Sequence, residues 1–274
     1  MSRGDAYGAL LDDLVAEEQS LDDLVDALDD AGWATPTPAE GWTVRDQVAH
    51  LAATEEWATL ALNDPDAFRV ALDRLNDDPE NRAEEVRRGL LARRPPSDTD
   101  KLAWWQQGRA AMVDRLRTHG PKDRLPWFGP DMSAMSFATA RLMETWAHGV
   151  DIADALGTNR PGTARLRHVA DLGVRTRGFA YVSRGLDAPT APIRVDLAAP
   201  SDDDVWSWGP AEAPDSVLGP ALDFCLVVTQ RRHPSDTELN VNGAAAAEWI
   251  EIAQAFAGAP TGHRAPSGDR TRRG

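Results

Sequence analysis

From Met132 to His148 the chain carries no proline and no glycine, and Gly149 is the first residue that loosens the run. Ala, Leu, Met, Phe and Trp are abundant here, which predicts one long helix from about Ser133 to Leu156, stopping at Gly157. A helix of this length and composition belongs in a helical bundle. Glu144, His148 and Asp151 then fall at i, i+4 and i+7, one stripe on one face. A carboxylate and an imidazole one turn apart can both point at one cation, and so apolar a segment needs a reason to hold them.

Three further helices are predicted upstream. Between Ala6 and Ala31 apolar residues recur at helical spacing (Leu10, Leu11, Leu14, Val15, Leu21, Leu24, Val25, Leu28) with acids between them. Gly32 to Trp42 is a loop punctuated by two prolines and two glycines. Thr43-Val-Arg-Asp46 then reads as a helix start, with Thr43 as N-cap, opening a second helix from about Val44 to Leu62 that carries His50. The charged segment Asn63–Pro96 predicts a helical excursion around Phe68–Leu75 and a further helix before Pro95-Pro96. The third bundle helix spans about Asp98–His119, and a proline-rich loop, Gly120–Pro130, leads to the fourth.

The fold class expected is therefore mainly α: an up-down four-helix bundle over residues 1–160, followed by a small α+β domain over 161–260. In that second part a helix is expected over Ala164–Ser183, strands at Ile193–Ala198 and Val205–Trp208, and a helix over Asp215–Thr229. A short strand at Thr237–Val241 and a helix over Ala244–Ala257 complete it. Residues 261–274 read as a disordered tail.

Composition narrows the function classes. The chain has 274 residues, 42% of them hydrophobic, enough for a substantial core. A formal charge of −15 argues against a nucleic-acid partner. The single cysteine, Cys225, excludes an intramolecular disulfide and a cysteine-rich zinc finger; a buried structural thiol is expected. Without a signal-peptide core or a long apolar run, a cytoplasmic protein with no membrane partner is expected, as a monomer or homodimer.

His50 is the natural third member of the site. Its helical face-mates are Gln47, Thr54 and Trp57, a mixed polar and aromatic strip. In an up-down bundle the second and fourth helices lie diagonally, so His50, Glu144 and His148 can meet at the axis as two imidazoles and one carboxylate. This donor set suits zinc or another divalent first-row metal with a coordination position left open. Asp151 either orients a ligand histidine, acts as a base, or simply pairs with Arg141 or Arg160. His119, His168 and His263 read as surface residues. Of the ten tryptophans, several can line a cavity, although core and loop packing is the plainer role.

Glu40-Gly-Trp-Thr-Val-Arg-Asp-Gln-Val-Ala-His-Leu51 resembles the first metal motif of the DinB-like bundle superfamily and, more narrowly, of the actinobacterial mycothiol-dependent maleylpyruvate isomerases. Met143-Glu-Thr-Trp-Ala-His-Gly-Val-Asp-Ile152 is similar to that family's second motif. The resemblance extends over residues 6 to 258 and implies a metal triad on His50, Glu144 and His148, with zinc as the metal. It also implies a substrate-holding arginine near the end of the chain, which falls on Arg231 or Arg232; the plainer reading of that Gln230-Arg-Arg-His233 segment is a basic turn capping a helix. In the resembling isomerases mycothiol adds to a substrate double bond, permits rotation and leaves. The expectation is thus a zinc-dependent isomerase or transferase using mycothiol or another thiol on a small electrophilic substrate. Its rivals are a thiol-independent metal-dependent lyase, cyclase or hydrolase, and a non-enzymatic metal- or ligand-binding protein.

Overall fold

A computed structural model describes residues 3–77, 97–201 and 204–268. The chain divides into two compact units, Met1–Asn159 and Arg160–Gly274. The further helix expected before Pro95 lies outside the described residues.

The first unit is built on four long helices: α1 (Arg3–Val25), α3 (Val44–Asn63), α5 (Asp98–Leu116) and α6 (Ala134–Leu156). Two shorter ones, α2 (Asp30–Trp33) and α4 (Pro65–Asn76), sit in the connections. The periodicity of α1 continues in sequence to Ala31, but the chain breaks after Val25 and restarts at α2, where the Asp29 carboxylate accepts from the Gly32 N–H at 2.8 Å. α5 stops at Leu116, short of His119, and α6 ends as predicted at Gly157, in the left-handed conformation (φ 63°) that glycine adopts without strain.

α3 packs along α5 and α1 along α6. Named contacts fix the helix directions. Tyr7 at the start of α1 hydrogen-bonds the Leu116 carbonyl at the end of α5 (3.0 Å), while Asp22 near the end of α1 takes the Gln106 amide of mid-α5 (3.1 Å). These two helices are antiparallel. Arg45 at the start of α3 pairs with Asp98 at the start of α5 (2.9 Å), and Ala52 and Glu55 further along α3 lie against Gly108 further along α5, so α3 and α5 are parallel. A Cβ at Gly108 would come within 3.2 Å of the Glu55 Cβ, and the absent side chain is what admits this close approach. Gln47 pairs with His148 and Glu55 with Arg141, which makes α3 and α6 antiparallel neighbours.

The four-helix bundle expected from the sequence is present, with one correction to its wiring. α1 and α6 share a direction and α3 and α5 share the other, an up-down-down-up order in which the long connection from α3 to α5 returns the chain along the bundle. The second and fourth long helices are adjacent rather than diagonal. The shorter connections hold structure of their own. That between α1 and α3 contains the α2 turn; that between α5 and α6 contains a two-residue ladder of β1 (Arg124–Leu125) and β2 (Met132–Ser133), in a segment predicted as plain loop.

One core cluster gathers Leu21, Val25, Trp33, Val44, Val48, Leu51, Trp105 and Ile152 from five of these helices. A second, aromatic one joins Trp57, Phe68, Trp127, Phe128 and Phe137, with ring centroids between 4.9 Å (Trp127–Phe137) and 5.9 Å (Phe68–Trp127). It ties α4 and the proline-rich connection to α3 and α6.

The second unit opens with α7 (Leu166–Arg175) and α8 (Arg177–Val182), where the sequence predicted one helix. Its sheet comprises β3 (Ile193–Ala198), β4 (Val205–Trp208), β5 (Asp215–Pro220) and β6 (Asn240–Asn242) in the order β4-β3-β5-β6. β3 and β5 are parallel, and the outer pairs antiparallel. Asp215–Pro220 was expected to begin a helix; the helix α9 starts only at Ala221 and ends at Val228. Gly219-Pro220 explains the difference, because proline pushes the residue before it out of the helical region. α10 (Ala244–Ile252) is shorter than predicted.

Residues 261–267 are not loose. Thr261 hydrogen-bonds Gln230 (2.6 Å), His263 Nε2 the Ile250 carbonyl (2.7 Å), and Ser267 Asp236 (2.7 Å). His263 is therefore an anchored side chain rather than the surface residue expected, while His119 and His168 are half-buried. Cys225 is fully buried, its thiol 3.5 Å from the Leu166 carbonyl, and burial pushes its pKa well above the ordinary thiol value.

Candidate metal centre

Two sequence devices place the site. The first is the capping box that starts α3: the Asp46 carboxylate accepts from both the backbone N–H (2.9 Å) and the hydroxyl (2.6 Å) of Thr43. It fixes the helical phase that puts Gln47, His50 and Thr54 on a common face. The second is the hairpin-like loop before it. Thr37 N–H and Thr37 Oγ1 both donate to the Trp42 carbonyl (2.7 and 3.0 Å), and Gly41 turns with φ 77°. This closure delivers the Trp42 ring to His50 (centroids 5.2 Å, edge-on) and to His148 (6.2 Å, stacked).

His50 of α3 and Glu144 and His148 of α6 each offer a donor atom, and the three atoms lie within 4.8 Å of one another. The imidazole centroids are 4.8 Å apart, and His148 Nε2 stands 3.3 Å from Glu144 Oε2. Donors bound to one cation at about 2.0–2.2 Å are separated by about 3.3 Å, so the Glu144–His148 pair already has the needed spacing. Two imidazoles and one carboxylate fit a divalent first-row cation and fill three positions of a tetrahedron.

The neighbours of Glu144 hold it ionised. Burial raises the Glu144 pKa, but the hydrogen bond and charge of His148, with Arg141 and His50, outweigh it and leave the carboxyl at about 2. Glu144 thus presents a carboxylate under all ordinary conditions.

Two cross-helix pairs bracket the triad. On one side the buried Gln47 Oε1 takes a short hydrogen bond from His148 Nδ1. On the other, Arg141, one turn before Glu144, donates to Glu55 (2.7 Å) and Thr54 (3.1 Å) of α3. Both members of the Arg141–Glu55 pair are buried, with side chains 3% and 0% exposed. Sequence reading placed Gln47 on the His50 face but gave it no role, and considered Arg141 only as a partner of Asp151. The spacing of Gln47 one turn before His50, and of Arg141 one turn before Glu144, was the available signal.

Asp151 is buried on α6 at 1% exposure, one turn past His148. Arg231 and Arg232 lie in the second unit, on the turn after α9. Gln230 adopts φ 60° there, Arg231 donates to the Thr229 carbonyl (2.7 Å), and Arg232 to that of Arg231 (2.9 Å). Both are half-buried, and their hydrogen bonds to carbonyls match the helix-capping reading.

Comparison with known proteins follows the same lines. Residues 14–153 match the family described as the mycothiol maleylpyruvate isomerase N-terminal domain. An uncharacterized protein of Mycobacterium tuberculosis (strain CDC 1551 / Oshkosh), and one of the same organism's strain H37Rv, are each 45% identical over 253 residues, 92% of this chain and 97% of theirs. Among solved structures, a mycothiol-dependent maleylpyruvate isomerase superposes with a TM-score of 0.56 at 17% identity, covering 88% of this chain and 96% of the isomerase. A mutant of that isomerase superposes with the same score at 16% identity. At these identities the likeness establishes a shared fold.

Proposed function

This chain belongs to the mycothiol maleylpyruvate isomerase N-terminal domain family, and from that membership we propose that it is a metal-dependent enzyme using mycothiol on a small electrophilic substrate, as an isomerase. The observation that carries the reading is the approach of His50, Glu144 and His148 to within 4.8 Å across two helices. These three residues would hold the metal, zinc by its donor set. A divalent cation there supplies one thing above all: it lowers the pKa of a thiol enough to ionise it at neutral pH.

The chain's own residues do the rest. Glu144 neutralises charge at the site, and Trp42 walls off the two imidazoles from one side. Arg141 and Gln47 hold the two ligand-bearing helices in register. With the His148 Nδ1 taken by Gln47, Asp151 is proposed as a base rather than as that imidazole's acceptor.

The test uses purified, zinc-loaded protein with mycothiol and maleylpyruvate, following cis-to-trans conversion and free thiol. Isomerisation returns the thiol; a transferase would retain it on the product. Turnover that needs mycothiol and disappears in His50→Ala supports the reading. Turnover that is unchanged without any thiol overturns it.

A further inference from the structure

We propose that Thr37 and Gln47 are positioning residues that fix the tautomer of His148, with the proton on Nδ1 and the Nε2 lone pair turned toward Glu144. The direction of a short hydrogen-bond chain requires it, and that direction starts from a main-chain carbonyl.

The Trp42 carbonyl oxygen can only accept, and Thr37 Oγ1 lies 3.0 Å from it. The single hydroxyl proton of Thr37 is therefore spent on Trp42. Toward Gln47, Thr37 Oγ1 can then only accept, and the carboxamide atom facing it at 2.9 Å is Nε2, a donor. That orientation turns Gln47 Oε1 toward His148 Nδ1. An amide oxygen accepts and never donates, so Nδ1 bears the proton. The remaining nitrogen, Nε2, faces the Glu144 carboxylate at 3.3 Å: in the imidazolium it donates there, and in the neutral ring it presents its lone pair. In the neutral ring two acceptors then face each other, a place that a cation fills.

The opposite tautomer costs a bond whichever way the carboxamide faces. A proton on Nε2 would satisfy Glu144 within the protein and leave the Nδ1 lone pair against Gln47 Oε1. Turning the carboxamide over would relieve that contact only if the Thr37 hydroxyl gave up its bond to the Trp42 carbonyl, which would keep the Thr37 N–H alone (2.7 Å). Gln47 is fully buried, so water does not compensate for a lost bond there. The relay also explains why the Thr37–Trp42 loop is closed on itself: one loop both anchors the polarity and lays its indole on the imidazoles.

The consequence for metal affinity rests on the metal-centre reading above, whereas the tautomer does not. The experiment separates the two. Full-length, metal-free protein with 15N-labelled histidine is observed by NMR above the imidazole titration range, and zinc alone is titrated into wild type, Gln47→Leu, Gln47→Glu and Thr37→Val. The expected spectrum shows His148 protonated on Nδ1. Gln47→Leu is expected to weaken zinc binding by roughly 10- to 100-fold, as loss of an acceptor behind a ligand histidine does. Gln47→Glu retains an acceptor and stays within about fivefold of wild type, and Thr37→Val falls between them. A wild-type spectrum with the proton on Nε2, or Gln47→Leu binding zinc as tightly as wild type, overturns the relay. Nδ1 protonation in a wild-type protein that binds no zinc upholds the relay and removes the metal-centre reading. The wild-type spectrum stands even where Gln47→Leu fails to fold.

Discussion

Arg141 of α6 and Glu55 of α3 form a 2.7 Å ion pair inside the first unit, with side chains 3% and 0% exposed. A buried pair of this kind contributes little net stability against a well-packed apolar replacement, but breaking it strands a charge. Arg141→Met should therefore cost about 3–5 kcal/mol in urea unfolding of the metal-free protein. Adding Glu55→Gln should recover much of that loss, since it removes the stranded carboxylate. A single-variant loss below about 1 kcal/mol would show that the pair does not join the two ligand helices.

Glu18 of α1 gives a second test. Burial, reinforced by the Glu55 carboxylate and opposed by Arg109 and Arg141, pushes its pKa up from 4.5 to about 8. A raised carboxyl favours folding fully below its unfolded value and loses that contribution as pH climbs through the folded one. Wild type should lose stability relative to Glu18→Gln between pH 4.5 and about 8. The gap should reach about 1.4 kcal/mol or more, the equivalent of one pKa unit. Thermal melts across that range check it, and a gap that does not change with pH would refute it.

Glu144 has the opposite sign. Its folded pKa, about 2, lies below the model-compound value of 4.5, so its contribution is present above 4.5 and is lost as pH falls toward 2. In chelator-treated protein, the stability advantage of wild type over Glu144→Gln should shrink steadily over that acidic interval. Denaturant unfolding at a series of pH values measures it. An advantage that persists unchanged at the acid end contradicts the assignment.

Much of this was legible in the sequence, and the misses have physical causes. The long helices, the Thr43–Asp46 box and the Gly157 stop are local signals, and they place His50, Glu144 and His148 on their faces correctly. Helix direction is not local: nothing in the sequence between Asn63 and Asp98 states that α5 runs parallel to α3 rather than against it. The acids of α1 fall between its apolar positions in sequence, yet Glu17, Glu18 and Asp22 are buried, the last against Arg109. Gln47 and Arg141 carried no signal beyond their spacing, since their partners stand on the other helix. The Asp215–Pro220 strand was readable from Gly219-Pro220, and an apolar run following it outweighed that cue.

The proposed chemistry depends on three side chains from two helices holding one divalent ion. Zinc titration into metal-free protein, by calorimetry with a metal-stoichiometry check, tests this directly for wild type, His50→Ala, Glu144→Ala and His148→Ala. The predicted result is one zinc per wild-type chain, with each substitution weakening binding beyond the roughly 10- to 100-fold typical of losing an outer hydrogen-bond partner. A wild-type chain that takes up no zinc, or three variants that bind it as wild type does, would contradict it.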